Sequence, residues 1–201
     1  MKPRIEFGSR QIAIIALSTA VYSLLNWFGA AFQVVPGASL IYPATAAAVV
    51  FSLWFGFWGA LGAYFGTIIG GFAWGSPIYV GLTGGLHDMI EGLIPALVFY
   101  ALHLDRGLRD KRSLLFYVIF GCIVGTAANA VLGNLNFVLW GVLPLKAVLV
   151  GFWSWWAADA VAAVVLGIPL LRFLTPYVEK TSLYHEGFLV RRFRRGGKHP
   201  A

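Results

Sequence analysis

An all-α integral membrane fold, a polytopic bundle of six transmembrane helices, is predicted for this chain by three observations. Of its 201 residues, 59% are hydrophobic and only 11% charged, with a mean hydropathy of +0.78; a soluble domain carries about a quarter charged residues. The apolar residues fall into six runs, each near the roughly 20 residues that a helix needs to cross the hydrocarbon core. The basic residues gather in segments that six crossings would place on one side.

Span one covers residues 11–32, after a basic lead of Lys2, Arg4 and Arg10. Ser18-Thr19-Ala20 resembles a signal-peptide cleavage site, but the apolar run continues to Phe32, which favours a retained helix. A connection over 33–40 turns at Pro36-Gly37. Span two runs over 41–56, with Pro43 in the first turn, where its missing N–H costs nothing. Span three, 57–73, carries Gly62, Gly66 and Gly70 four apart, a bare stripe on which another helix can approach closely. Residues 74–77 form a turn. Span four, 78–103, holds Gly81, Gly84-Gly85 and Pro95, a composition that predicts a broken or bent helix.

A charged loop follows over 104–111. Span five, 113–133, repeats the close-packing pattern as Gly121, Gly125, Asn129 and Gly133. Residues 134–145 read as a partly re-entrant connection, and span six covers 146–174. The transmembrane domain is thus expected over 1–180, and 181–201 as a basic cytoplasmic tail, partly disordered. With six spans the N-terminus, the 104–112 loop and the tail share a side that holds every Lys and Arg except Lys146. The positive-inside rule then puts both termini in the cytoplasm of a cell with this chain in its plasma membrane.

Several function classes are excluded or disfavoured. The net charge of +7 is concentrated beside the spans, where it sets topology and meets anionic lipid, so nucleic acid is not an expected partner. Cys122 is the only cysteine, which rules out an intrachain disulfide and a cysteine-built zinc site. The chain has no Gly-x-Ser-x-Gly elbow and no P-loop, and no enzyme activity or cofactor is expected of it. No metal site is expected either, since only one histidine, His87, lies inside a span, His103 standing at the very end of span four.

Chemistry resides in the polar residues of the apolar runs. Asp88, Glu91 and Asp159 lie at membrane depth, where a carboxylate costs about 2.5–3.5 kcal/mol on the most forgiving scale. They must be protonated, paired, or facing a hydrated or ligand-filled cavity. On span four His87, Asp88 and Glu91 share one face; on span six Trp155 and Trp156 precede Asp159 by four and three residues. Acceptors, an imidazole and indole surfaces together suit a polar ring-containing or cationic small molecule. His87, Asp88, Glu91, Asn129, Trp155, Trp156 and Asp159 are the candidate substrate-binding residues.

Each has a structural alternative. The Trp153, Trp155 and Trp156 cluster suits an interfacial anchor, Asp159 a tie to Lys146 or a neighbouring helix, and His87 a bond to a carbonyl freed by the Gly84-Gly85 break. Ala16 and Ala20 form a small-x-x-x-small pair on span one, suited either to packing within the chain or to docking another membrane protein.

A basic start leading into the Ala16/Ala20 helix, Pro43-Ala44, and Phe55-Gly56-Phe57-Trp58-Gly59-Ala60-Leu61-Gly62 resemble the substrate-binding S component of energy-coupling factor (ECF) transporters. The segment 86–99 with the charged loop after it is also similar, and the resemblance covers most of 9–180. It implies capture of a vitamin or related micronutrient from outside. It also implies coupling through Ala16 and Ala20 to a transmembrane T component carrying two ABC-type ATPases, which use the ATP. A second stretch, Trp153-Ser154-Trp155-Trp156-Ala157-Ala158-Asp159 with Gly167-Ile168-Pro169, is similar to membrane-associated sensor domains of bacterial signalling proteins. That likeness implies a sensory membrane domain, usually longer and fused to a cytoplasmic output domain. The alternative for this chain is a stand-alone version that binds a small ligand and signals to a partner without transporting it.

Overall fold

The computed structural model describes residues 7–35, 38–39 and 41–184. Among these residues six helices carry the fold: α1 (Ser9–Ala30), α2 (Ala44–Phe55), α3 (Phe57–Gly70), α4 (Ile78–Ala101), α5 (Lys111–Leu139) and α6 (Leu145–Val178). Between α1 and α2 a short antiparallel ladder pairs β1 (Gln33–Val35) with β2 (Ala38–Ser39). The turn expected at Pro36-Gly37 lies outside the described residues, as does the tail beyond Tyr184. Three helices among the described residues, α1, α5 and α6, are long and apolar enough to cross a membrane. Large apolar side chains such as Leu139, Leu149 and Phe173 cover the outside of the bundle, as in a helical membrane protein.

Each helix follows from its sequence. α2 is apolar all round and almost wholly buried, so it is the central element, packed by α1, α3, α4 and α6. Its 12 residues span about 18 Å, shorter than the hydrocarbon core. Gly56 ends it at φ +64°, a left-handed angle that costs a glycine nothing and lets α3 double back at once. The glycine stripe of α3 faces α1. A Cβ at Gly62, Gly66 or Gly70 would come within 2.2 Å of Ser18, 2.7 Å of Tyr22 and 2.6 Å of Asn26, respectively.

Two expectations are corrected. α4 is one continuous helix through Gly84-Gly85 and Pro95, not a broken one. A Cβ at Gly85 would come within 2.6 Å of Tyr64, and one at Gly92 within 2.2 Å of the Ser52 hydroxyl. Close packing therefore accounts for these glycines and outweighs their low helix propensity. Likewise 134–139 is helix rather than re-entrant loop. Asn134 and Asn136 satisfy their amides within the bundle, donating to the carbonyls of Ala130 (2.7 Å) and Val80 (3.2 Å).

Wider π turns interrupt α5 at Tyr117–Val124 and α6 at Ala163–Gly167 and Leu170–Leu174. The first two are tied together, with the Tyr117 hydroxyl donating to the Ala163 carbonyl at 2.9 Å. Such turns free backbone carbonyls that need another donor.

The bundle has two unlike ends. Arg10, Arg106, Arg109, Lys111, Arg112, Arg172 and Lys180 lie toward one, where Phe7 packs on Trp58 and Arg10 reaches the Tyr184 carbonyl. Bulky side chains fill that end: Trp54, Phe55, Trp58, Phe99 and Leu171. Small ones line the middle: Ala44, Ala47, Ala48 and Ala63. Toward the second end a small space remains among Asn26, Tyr42, Thr67 and Trp155, while at the basic end a wider one lies at the surface among Tyr100, His103, Arg106 and Glu179.

Candidate functional site

Asp88, Glu91 and Asp159 are 2%, 0% and 0% exposed, and their side chains converge on Asn129 and His87 rather than on lipid. α4 supplies His87, Asp88 and Glu91, α5 supplies Asn129 and α6 supplies Asp159 and Trp155. Asn129 is the hub. Its amide nitrogen donates to Glu91 Oε2 at 2.9 Å and to Asp159 Oδ2 at 3.4 Å, and its Oδ1 meets His87 Nδ1 at 2.5 Å. Because both amide hydrogens face carboxylates, the Asn129 oxygen must accept, and His87 Nδ1 must carry a proton.

Asp88 stands one step nearer the open end. Thr67 on α3 donates to its Oδ2 at 2.5 Å, while Oδ1 lies 3.4 Å from His87 Nδ1. Asp88 Oδ1, Glu91 Oε1, Asp159 Oδ1 and His87 Nε2 are buried without a hydrogen-bond partner. Among the described residues no Lys or Arg pairs with any of the three acids, and Lys146 is not a partner of Asp159. His87 bonds to Asn129, not to a carbonyl of its own helix.

A cavity of about 50 Å³ opens above this cluster, bounded by α1, α3, α4, α5, α6 and the segment before α2. Asp88 and His87 form its floor, and Tyr42, Phe137 and Trp155 its walls. Trp74 and Ser76, both half-buried, sit at its mouth. The Trp74 indole donates to Asn26 Oδ1, which anchors the mouth to α1. Trp155 stands edge-on to His87 with ring centres 5.8 Å apart, and packs on Phe137 at 5.4 Å. Its ring fits because Gly133 is bare; a Cβ there would come within 2.6 Å.

The candidate residues therefore fall into three groups. His87, Asp88 and Trp155 line the cavity; Glu91, Asn129 and Asp159 form a buried layer behind it. Trp156 stands apart: its N–H donates to the Ile123 carbonyl at 3.2 Å and its ring stacks on Phe152. Asn26, Tyr42, Thr67 and Trp74 belong to the site although sequence reasoning did not select them. Asn26 carried a signal, as an amide inside an apolar run; Thr67 and Trp74 carried none that periodicity could detect.

Ala16 and Ala20 are exposed and line a second, apolar groove of about 700 Å³ between α1 and α3, with Leu24, Trp27 and Phe65. Of the other glycines, Gly121 packs against Tyr117 and Val49, and Gly125 against the Glu91 carbonyl. That carbonyl is the one left without a helical N–H by Pro95.

Compared with known proteins, the chain matches no family model, no curated protein and no solved structure.

Proposed function

We propose that this chain is the membrane-embedded, substrate-binding subunit of an ATP-driven uptake transporter for a small micronutrient. One observation carries the proposal: His87 and Asp88, each with a buried acceptor atom that has no hydrogen-bond partner among the described residues, form the floor of a cavity that opens at one end of a membrane bundle. Groups so placed are expensive unless a polar visitor satisfies them. All six helices cross the bilayer in this account. The basic end faces the cytoplasm with both termini, and the cavity mouth at Trp74 and Ser76 faces outward.

The chain itself performs no chemistry in this account. Hydrolysis of ATP belongs to ABC-type ATPases, joined through a T component that docks on the apolar groove holding Ala16 and Ala20. The stand-alone sensory domain is the alternative, and it draws support from the stretch 153–159, where Trp155 and Asp159 face the cluster.

Complex formation separates the two. Co-expression with a T component and ABC-type ATPases from the same genome should yield a complex that purifies on a tag placed on this chain. Ala16→Trp with Ala20→Trp should abolish it without unfolding the protein, because both positions are exposed. A folded chain that never joins the module would overturn the transport reading in favour of sensing.

A further inference from the structure

We propose that the occupant of the cavity is a small organic cation bearing N–H donors, a guanidinium or primary-ammonium ion of about four non-hydrogen atoms. The inference rests on the cavity being the solute site, and adds the chemistry of the solute.

Charge is the first ground. Asp88 lines the cavity beside a single imidazole, and among the described residues no Lys or Arg does. With the His87 ring neutral, the Asp88 carboxylate has no counter-charge at the cavity. Burying net negative charge without a counter-ion is costly, so an anion is rejected and a cation favoured.

Hydrogen bonding is the second. The Asn129 amide fixes the His87 proton on Nδ1, so the Nε2 of the neutral ring presents a lone pair. His87 is 5% exposed and Nε2 has no partner; it lies 3.4 Å from where a Cβ on the cavity-lining Gly84 would sit. Asp88 Oδ2 is taken by Thr67, and Oδ1 is left open. The floor therefore offers two acceptors, and the visitor must donate to both.

Walls and size complete the selection. Tyr42, Trp74, Phe137 and Trp155 surround the space with aromatic rings, which attract organic cations. At about 50 Å³ the cavity holds roughly three to five water-sized groups, whereas drug-sized ligands occupy about 300–1,000 Å³. A bare metal ion is disfavoured, since no three His, Cys, Asp or Glu side chains converge as ligands among the described residues.

Isothermal titration of the full chain in detergent, at neutral pH and matched ionic strength, tests this with four probes. Guanidinium should bind saturably, whereas urea, its neutral counterpart of like shape, should not. Neither should tetramethylammonium, which is charged but lacks N–H groups, nor sodium. Asp88→Asn should weaken guanidinium binding about ten- to a hundredfold, the effect of removing a charge-assisted bond. Gly84→Ala keeps every charge, narrows the cavity beside Nε2, and should also weaken it; this variant decides the matter if Asp88→Asn does not fold. No saturable guanidinium binding, equal binding of urea, tetramethylammonium or sodium, or unchanged affinity in Gly84→Ala would each overturn the proposal. Guanidinium binding by a chain that forms no complex with a T component removes transport and leaves the ligand class standing. A complex without guanidinium binding does the reverse.

Discussion

The carboxylates of the basic end and those of the bundle interior are the same chemical groups under opposite conditions. At the basic end they are satisfied. Asp105 accepts the N–H groups of Gly107 (3.0 Å) and Arg109 (2.7 Å), and Asp110 caps α5 by accepting from the Ser113 N–H (2.8 Å) and hydroxyl (2.7 Å). Glu179 holds Arg109 at 3.0 Å. In the interior, Asp88, Glu91 and Asp159 each keep one oxygen with no partner, although burial makes the need greater. Water can complete the first set at the surface. Of the second set only Asp88 lines the cavity, and Glu91 and Asp159 lie behind it; under the proposed function, that contrast separates carboxylates that build the protein from those of the binding cluster.

The largest effect should come from removing the interior hub. Asn129→Leu strands His87 Nδ1, Glu91 Oε2 and Asp159 Oδ2 together, at about 1–3 kcal/mol for each buried group left unpaired. Thermal unfolding in detergent should show a loss of more than about 3 kcal/mol. A variant as stable as the parent would mean that the interior acids are already satisfied, and the contrast would fail.

A smaller effect belongs to the basic end, where one buried bond joins α2 to α6: the Trp54 indole donates to the Thr175 hydroxyl at 2.9 Å. Thr175→Val leaves that N–H unpaired and should cost about 1–3 kcal/mol in the same measurement. Guanidinium binding should not change, since the contact is remote from the cavity. Altered binding would show that the two ends are coupled.

The smallest effect is electrostatic and lies at the surface. Hydrogen bonds from the Ser113 side chain, and then from backbone N–H groups, hold the Asp110 carboxyl below its ordinary value. A lowered folded value means that its stabilising contribution is complete above the unfolded pKa of about 3.9 and disappears as pH falls through the folded one. Amide exchange in the first turn of α5 should therefore accelerate only in acid. Asp110→Asn keeps a good cap and should remove that dependence.

Much of the fold was legible because lipid and helix geometry impose simple patterns. Apolar run length announced the helices, and the spacing of Gly62, Gly66 and Gly70 announced a close approach, though not that α1 would be the partner. Gly84-Gly85 misled because propensity describes a helix alone, whereas Tyr64 packs against Gly85 in the bundle. Asn134 and Asn136 misled similarly; polarity looks like a loop until Ala130 and Val80 accept the amides.

Within the site, the acids and His87 stood out because charge in an apolar run is rare. Thr67 did not, since a single hydroxyl in a glycine-rich helix has no periodic signature. Trp156 was selected beside Trp155 on spacing alone, but α6 turns its ring toward Phe152 and away from the cavity. Spacing identifies a face of a helix; it does not say which flank of that face the neighbouring helices cover.

The central claim is that the unsatisfied acids are served from outside the cell and the satisfied ones lie inside. Cysteine labelling in intact cells, with Cys122→Ser as background, tests it most directly. Ser76→Cys at the cavity mouth should react with a membrane-impermeant maleimide added outside, and Arg109→Cys only after permeabilisation. The reverse pattern would turn the protein over in the membrane and contradict the account.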